Sequence, residues 1–156
     1  MKSWQQRIIA FAFIGGIVMF LGQRVVYENQ IVPIQQVPVD AWLVSDYSNA
    51  ALAMFFACLV PTLLWCALAE KSRFNDGANT ARWRLLWWLL GIIPMVTIPI
   101  AVFYINRSSE AHFSLMAFFL LDAILLYWLP TATSSPEAVK YVPPLAFWLR
   151  HKLMGD

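Results

Sequence analysis

The sequence predicts an all-α integral membrane protein with four transmembrane helices, both termini cytoplasmic and a short amphipathic interfacial helix at its C-terminal end. Three observations carry that prediction. Only 13% of the 156 residues are charged while 60% are hydrophobic, and so few charges cannot cover a water-facing surface, for which roughly 25% is ordinary. The hydrophobic residues are gathered into four blocks, each approaching the ~20 residues needed to cross a hydrocarbon core. Lysine and arginine, finally, are divided unevenly between alternate connections. The same composition excludes a soluble globular enzyme, a disordered chain, a disulfide scaffold and a dedicated nucleic-acid binder, since the net charge of +2 is not gathered into a basic patch.

The first block, 8–22, follows Lys2 and Arg7, a pattern shared with secretory signal peptides. Gly22-Gln23-Arg24 is no small-residue cleavage site, so 4–27 is expected to be a retained first helix, with Trp4 and Tyr27 at its interfacial ends and Arg24 snorkelling outward. Residues 28–48 carry Pro33 and Pro38 among Ile31, Ile34, Trp42 and Val44. Proline disfavours a regular helix, and an extended segment is expected there, lying on the membrane surface or against a partner and anchored by Trp42. Asp46 to Asn49 supply N-cap residue types before a second span at 49–69. A third follows at 85–105, each being ~21 residues or ~31 Å long. The polar stretch between them holds Asn75-Asp76-Gly77 as a turn signal. The fourth span, 113–129, is closed by Pro130. A transmembrane domain at 1–130 is thus followed by a tail at 131–156, in which Pro143-Pro144 starts a helix over 145–154. Leu145, Trp148, Leu149 and Leu153 fall near one side of it and Arg150, His151 and Lys152 in the remaining arc, the pattern of a helix lying in the interface plane.

Orientation follows from the basic residues, because cytoplasmic loops hold the positive excess. With the N-terminus inside, Lys2, Arg7, Lys71, Arg73, Arg82, Arg84, Lys140, Arg150 and Lys152 lie inside, and Arg24 and Arg107 outside. The expected location is a bacterial inner membrane or an equivalent energy-transducing membrane.

Asp122 is the ionisable residue placed well inside a span, close to the expected midplane. An aspartate there costs ~2.5 to 3.5 kcal/mol on insertion scales and needs a partner. Depth counting nominates Thr97 and Thr62, and Pro61, Pro94 and Pro99 each leave a backbone carbonyl without its helical donor. The layer reads either as a neutral clamp that fixes helix packing or as a proton or cation site. Small-xxx-small stripes at Ala12 and Gly16, and at Ala50, Ala53 and Ala57, let helices one and two approach closely. Trp83, Trp87 and Trp88 sit beside Arg82 and Arg84, and with Trp4, Trp42 and Trp148 read as interfacial anchors. Stacking of a quinone or pigment is the alternative for that cluster.

Metal chemistry has little support. His112 and His151 fall on opposite sides of the membrane and cannot jointly clamp a haem, while Cys58 and Cys66, eight apart on a helix, are ~12 Å apart along its axis and cannot bridge. No HExxH, nucleophile elbow or Walker loop occurs. The expected function is therefore a non-catalytic accessory, assembly or stabilising subunit of a larger membrane complex, with lipid and other subunits or its own copies as partners and no cofactor of its own. The alternatives are a small oligomeric channel or proton/cation-coupled transporter using Asp122, and a membrane enzyme or a pigment-, haem- or quinone-binding protein.

Overall fold

A computed structural model describes residues 3–35, 37–72 and 77–154. Arg73, Asn75 and Asp76 of the expected polar turn, and the Leu153 side chain of the tail helix, lie outside what is described. The described chain is helical with no strand, and four of its helices are long and apolar enough to cross a membrane. They are α1 (Ser3–Glu28), α2 (Val39–Ala69), α3 (Gly77–Ile100, continued by a π turn at Ala101–Ile105) and α4 (Ser109–Ser134). A fifth, α5 (Ala146–Met154), forms the tail. Helices α2 and α4 make the middle pair; α1 packs on both from one side and α3 on both from the other.

Three boundaries differ from the expected ones, each for a local reason. Helix α2 begins at Val39, so 39–48 is helical rather than extended. Pro38 stands just before the helix, where its missing N–H breaks no hydrogen bond, and no proline follows until Pro61. Helix α3 begins at Gly77, ahead of the expected start at 85. Helix α4 runs through Pro130 to Ser134, in place of the loop expected from 131; a π turn at Ile124–Trp128 precedes the proline, which enters at the start of the last helical segment.

Helix α1 ends in a Schellman cap: Ile31 N–H reaches Val26 O and Gln30 N–H reaches Tyr27 O, both at 3.0 Å, with Gln30 at φ 53° in the left-handed position usually given to glycine. The loop that follows is fastened to the bundle. Gln35 N–H donates to Glu110 Oε2 at 2.6 Å, while the connection between α3 and α4 is held to the start of α2 by Arg107 N–H on Asp46 Oδ2 at 3.1 Å. Ile34 is buried and Val32 and Val37 pack on the same core, so most of the apolar side of this loop meets its own chain, while Ile31 and Val44 are exposed.

The core divides into two larger clusters along the bundle and a small third one, Ala132, Ala146 and Leu149, under the tail. At the loop end Tyr27, Trp42 and Tyr47 pack with Ala50, Met54, Leu115 and Phe119. At the end holding both chain termini, Trp65, Trp87 and Tyr127 pack with Val139 and Val142. The tail docks on α4 through Arg150, 5% exposed, whose Nε donates to Ala132 O and Nη2 to Ser135 O, both at 2.9 Å. A guanidinium on the last carbonyls of a helix satisfies orphan acceptors and opposes the negative end of its dipole. The expected amphipathic division therefore shifts. Leu149 and Arg150 face the protein, while Leu145, Phe147 and Trp148 are exposed beside His151 and Lys152.

Candidate functional site: a polar layer inside the bundle

Asp122 lies on α4, thirteen residues after the helix starts at Ser109 and twelve before it ends at Ser134, and is 6% exposed. Its Oδ1 accepts a hydrogen bond of 2.8 Å from Gln23 Nε2 on α1. Near the other end of the Gln23 side chain stands Tyr47 of α2, whose one hydroxyl proton goes chiefly to Phe20 O at 2.9 Å, with Gln23 Oε1 farther away at 3.4 Å. One turn further out, the Tyr27 and Ser114 hydroxyls share a 2.7 Å hydrogen bond. Antiparallel packing of α1 on α4 thus stacks two polar contacts, and three helices meet at the inner one.

The partner of Asp122 is therefore Gln23, not Thr97 or Thr62. Thr97 bonds back to Ile93 O on its own helix at 2.9 Å. Thr62, fully buried, serves another carbonyl, with its hydroxyl 2.8 Å from Cys58 O and 3.1 Å from Leu126 O. Leu126 stands four residues before Pro130, which has no N–H to give it. A threonine from α2 thus shares its one hydroxyl proton between a carbonyl of its own turn and, at the longer distance, the carbonyl that the proline of α4 leaves open. Proline does leave such a carbonyl open, but the one that Thr62 meets belongs to Pro130, which by sequence alone reads as the end of the helix.

Sequence reasoning misses Gln23 because of a stagger between helices. It is five residues from the end of α1 at Glu28, or ~8 Å, whereas Asp122 is ~20 Å from the start of α4 at that same end of the bundle. Counting depth from span ends places Gln23 near the boundary and Asp122 in the middle. The pair Tyr27/Ser114 and the contact that a Cβ on Gly15 would make with Leu126 Cδ2 at 3.0 Å share one register with a smaller offset of the same sense, about one turn short of the Gln23–Asp122 pair. The one sequence signal for Gln23 is a carboxamide next to Arg24 at the end of a long apolar run.

The small residues do allow close approach, though not as one stripe against another. Ala12 and Gly16 are buried on α1, and a Cβ on Gly16 would overlap the Phe55 ring of α2. On α2 itself Ala50 and Ala57 are buried and Ala53 is partly so.

Two of the six expected interfacial tryptophans turn inward. Trp42 is 2% exposed, 4.9 Å from the Tyr27 ring centroid, and donates to Asn106 Oδ1 at 2.8 Å. Trp87 is 4% exposed, stacks on Tyr127 at 5.1 Å and donates to Thr131 Oγ1 at 3.0 Å. Each indole N–H has a buried acceptor, so these rings pin helices together rather than meeting a lipid boundary. Trp4 and Trp83 are partly buried against the same cluster as Trp87, and Trp148 is 57% exposed. Trp87, Trp88, Tyr127 and Trp128 also border an apolar cavity of about 480 Å³ beside Pro144 and Leu145.

His112 packs edge-on against Phe103 at 4.9 Å, and no group of three His, Cys, Asp or Glu side chains suited to a metal ion occurs among the described residues. No protein family, curated protein or solved structure matches this chain.

Proposed function

We propose that the chain is an integral membrane protein with four spans and cytoplasmic termini, serving as a non-catalytic accessory, assembly or stabilising subunit of a larger membrane complex. The observation that supports this reading best is the pairing of Asp122 with Gln23 inside the chain. A carboxyl group held by a neutral carboxamide, with a tyrosine of a third helix beside the Gln, is what a packing clamp requires. Three other buried polar contacts follow the same habit, Thr62 on Leu126 O, Trp87 on Thr131 and Trp65 on Ser135 at 2.9 Å. They join helix to helix.

The surface that would meet other subunits is not the loop after α1, since that loop is largely packed on its own bundle. It lies on the helices and on the exposed Leu145, Phe147 and Trp148 of the tail. Extraction from the native membrane in mild detergent, followed by native sizing and identification of co-migrating chains, tests the reading. Chains of other sequence running with this one support it. A clean homo-oligomer would shift the choice to the channel or transporter reading, which Asp122 favours by bordering an open groove.

A further inference from the structure

Between α1 and α2 runs a groove of about 260 Å³, walled by Phe13, Gly16, Phe20, Leu52 and Phe55, with Gln23 and Asp122 at its floor. Asp122 enters the clamp with Oδ1 only; its Oδ2 accepts no hydrogen bond from any described residue. A carboxyl oxygen that accepts no hydrogen bond, on a residue only 6% exposed and bordering a cavity in an apolar wall, is an incomplete hydrogen-bonding site. We propose that this groove binds an uncharged, lipid-soluble molecule carrying a hydroxyl on a ring, which enters sideways from the apolar phase and hydrogen-bonds Asp122 Oδ2. The proposal rests on the four helices lying in a bilayer and is independent of whether the chain serves a larger complex.

Size and chemistry both narrow the ligand. A cavity of about 150 Å³ takes benzene, and pockets for drug-sized molecules start near ~300 Å³, so this groove holds one substituted ring while a tail lies outside along the helices. The rings of Phe13 and Phe55 meet edge to face at 5.8 Å on its wall. No lysine or arginine lines it, which disfavours an anionic head, and a cationic one would carry its charge into an apolar wall. A hydroxyl both donates and accepts, and so it completes Asp122 whether or not the carboxyl holds a proton. A partner helix fits less well. Phe13, Ile17, Leu21 and Leu52 on the rim are bulky and about half exposed, whereas close helix contacts in membranes use small residues, and the one glycine of the groove, Gly16, lies under Phe55.

The test uses the full chain in nanodiscs of saturated phosphatidylcholine and a 4-alkylphenol bearing a photoreactive diazirine. Label is expected in peptides containing Phe13 to Phe20 or Leu52 to Phe55. Unlabelled alkylphenol should displace it about three- to tenfold more effectively than the matching alkylbenzene, which can neither donate to the carboxyl nor accept from it, the equivalent of one interhelical-type hydrogen bond. A 4-alkylcyclohexanol as second competitor separates the two sources of the hydroxyl. Potency equal to the phenol's indicates an alicyclic alcohol of sterol type, and weaker potency a phenol of quinol type; both sustain the site. Leu52→Trp fills the groove without touching the clamp, and should lower labelling about tenfold with an unchanged circular dichroism spectrum and melting point. Equal displacement by phenol and alkylbenzene, or labelling that survives Leu52→Trp, would overturn the proposal. So would efficient disulfide cross-linking of Leu52→Cys to another chain in native membranes, which would assign the groove to a partner helix.

Discussion

Asp122 and Gln23 lie 99 positions apart in the chain and 2.8 Å apart in space, and their interaction is open to a double-mutant cycle. Asn at 122 keeps an acceptor for Gln23 Nε2, so Asp122→Asn should leave accumulation and thermal stability in mild detergent near normal. Asp122→Leu and Gln23→Leu should each destabilise, and together by less than their sum, with a coupling of about 0.6 kcal/mol and no more than about 1.7. Additive effects would dissolve the clamp. An Asn variant that assembles fully yet abolishes the host phenotype would instead assign Asp122 to transport. At the two threonines the outcomes should diverge. Thr62→Val strips the Leu126 carbonyl of its donor and should cost about 0.6 to 1.7 kcal/mol in the same assay. Thr97→Val removes a bond within one helix and should cost less than about 0.5 kcal/mol.

Among the elements, α4 and α5 depend on each other at one point. Arg150 brings two donors to the last carbonyls of α4, and Trp128 Nε1 donates to Pro144 O at 2.9 Å from the opposite side. Arg150→Leu removes both guanidinium bonds and leaves the Ala132 and Ser135 carbonyls short of partners. Amide hydrogen exchange over 146–152 should then rise at least about tenfold, corresponding to ~1.4 kcal/mol of lost docking, while exchange in α2 stays unchanged. Unaltered protection of the tail would show that its apolar contacts suffice. Trp148 and Lys152, with the ammonium 5.0 Å from the ring, lie on the exposed part and should not change this result.

For the molecule as a whole, the decisive quantity is sidedness. In a background lacking Cys58 and Cys66, both buried, single cysteines at Asn29 in the loop after α1 and at Lys71 after α2 occupy opposite ends of the bundle, and both positions are exposed. With the nine-to-two division of basic residues, Lys71→Cys should react with a membrane-impermeant maleimide only from the cytoplasmic side and Asn29→Cys only from the other. Reaction of both from one side would overturn the orientation and the bilayer placement together.

By itself the sequence determined the all-helical class and the count of four long apolar helices, because both follow from block length and composition, which no packing arrangement changes. It also determined that Asp122 is buried in mid-helix and needs a partner, since an ionisable group in a long apolar block has few other fates. The partner was not legible. Depth counted from span ends assumes helices centred on a common plane, and α1 is slid along α4 so that Gln23, near its own end, meets a residue in the middle of its neighbour. Pro130 misled in a related way. Proline forbids one hydrogen bond locally, but whether a helix stops there depends on a donor from elsewhere, and Thr62 on α2 supplies it. Trp42 and Trp87 belong to the same group, since a tryptophan near the end of an apolar block serves a lipid boundary or a buried acceptor equally well. Only the tertiary structure, which brings Asn106 and Thr131 within 3.0 Å of their indole nitrogens, decides between them.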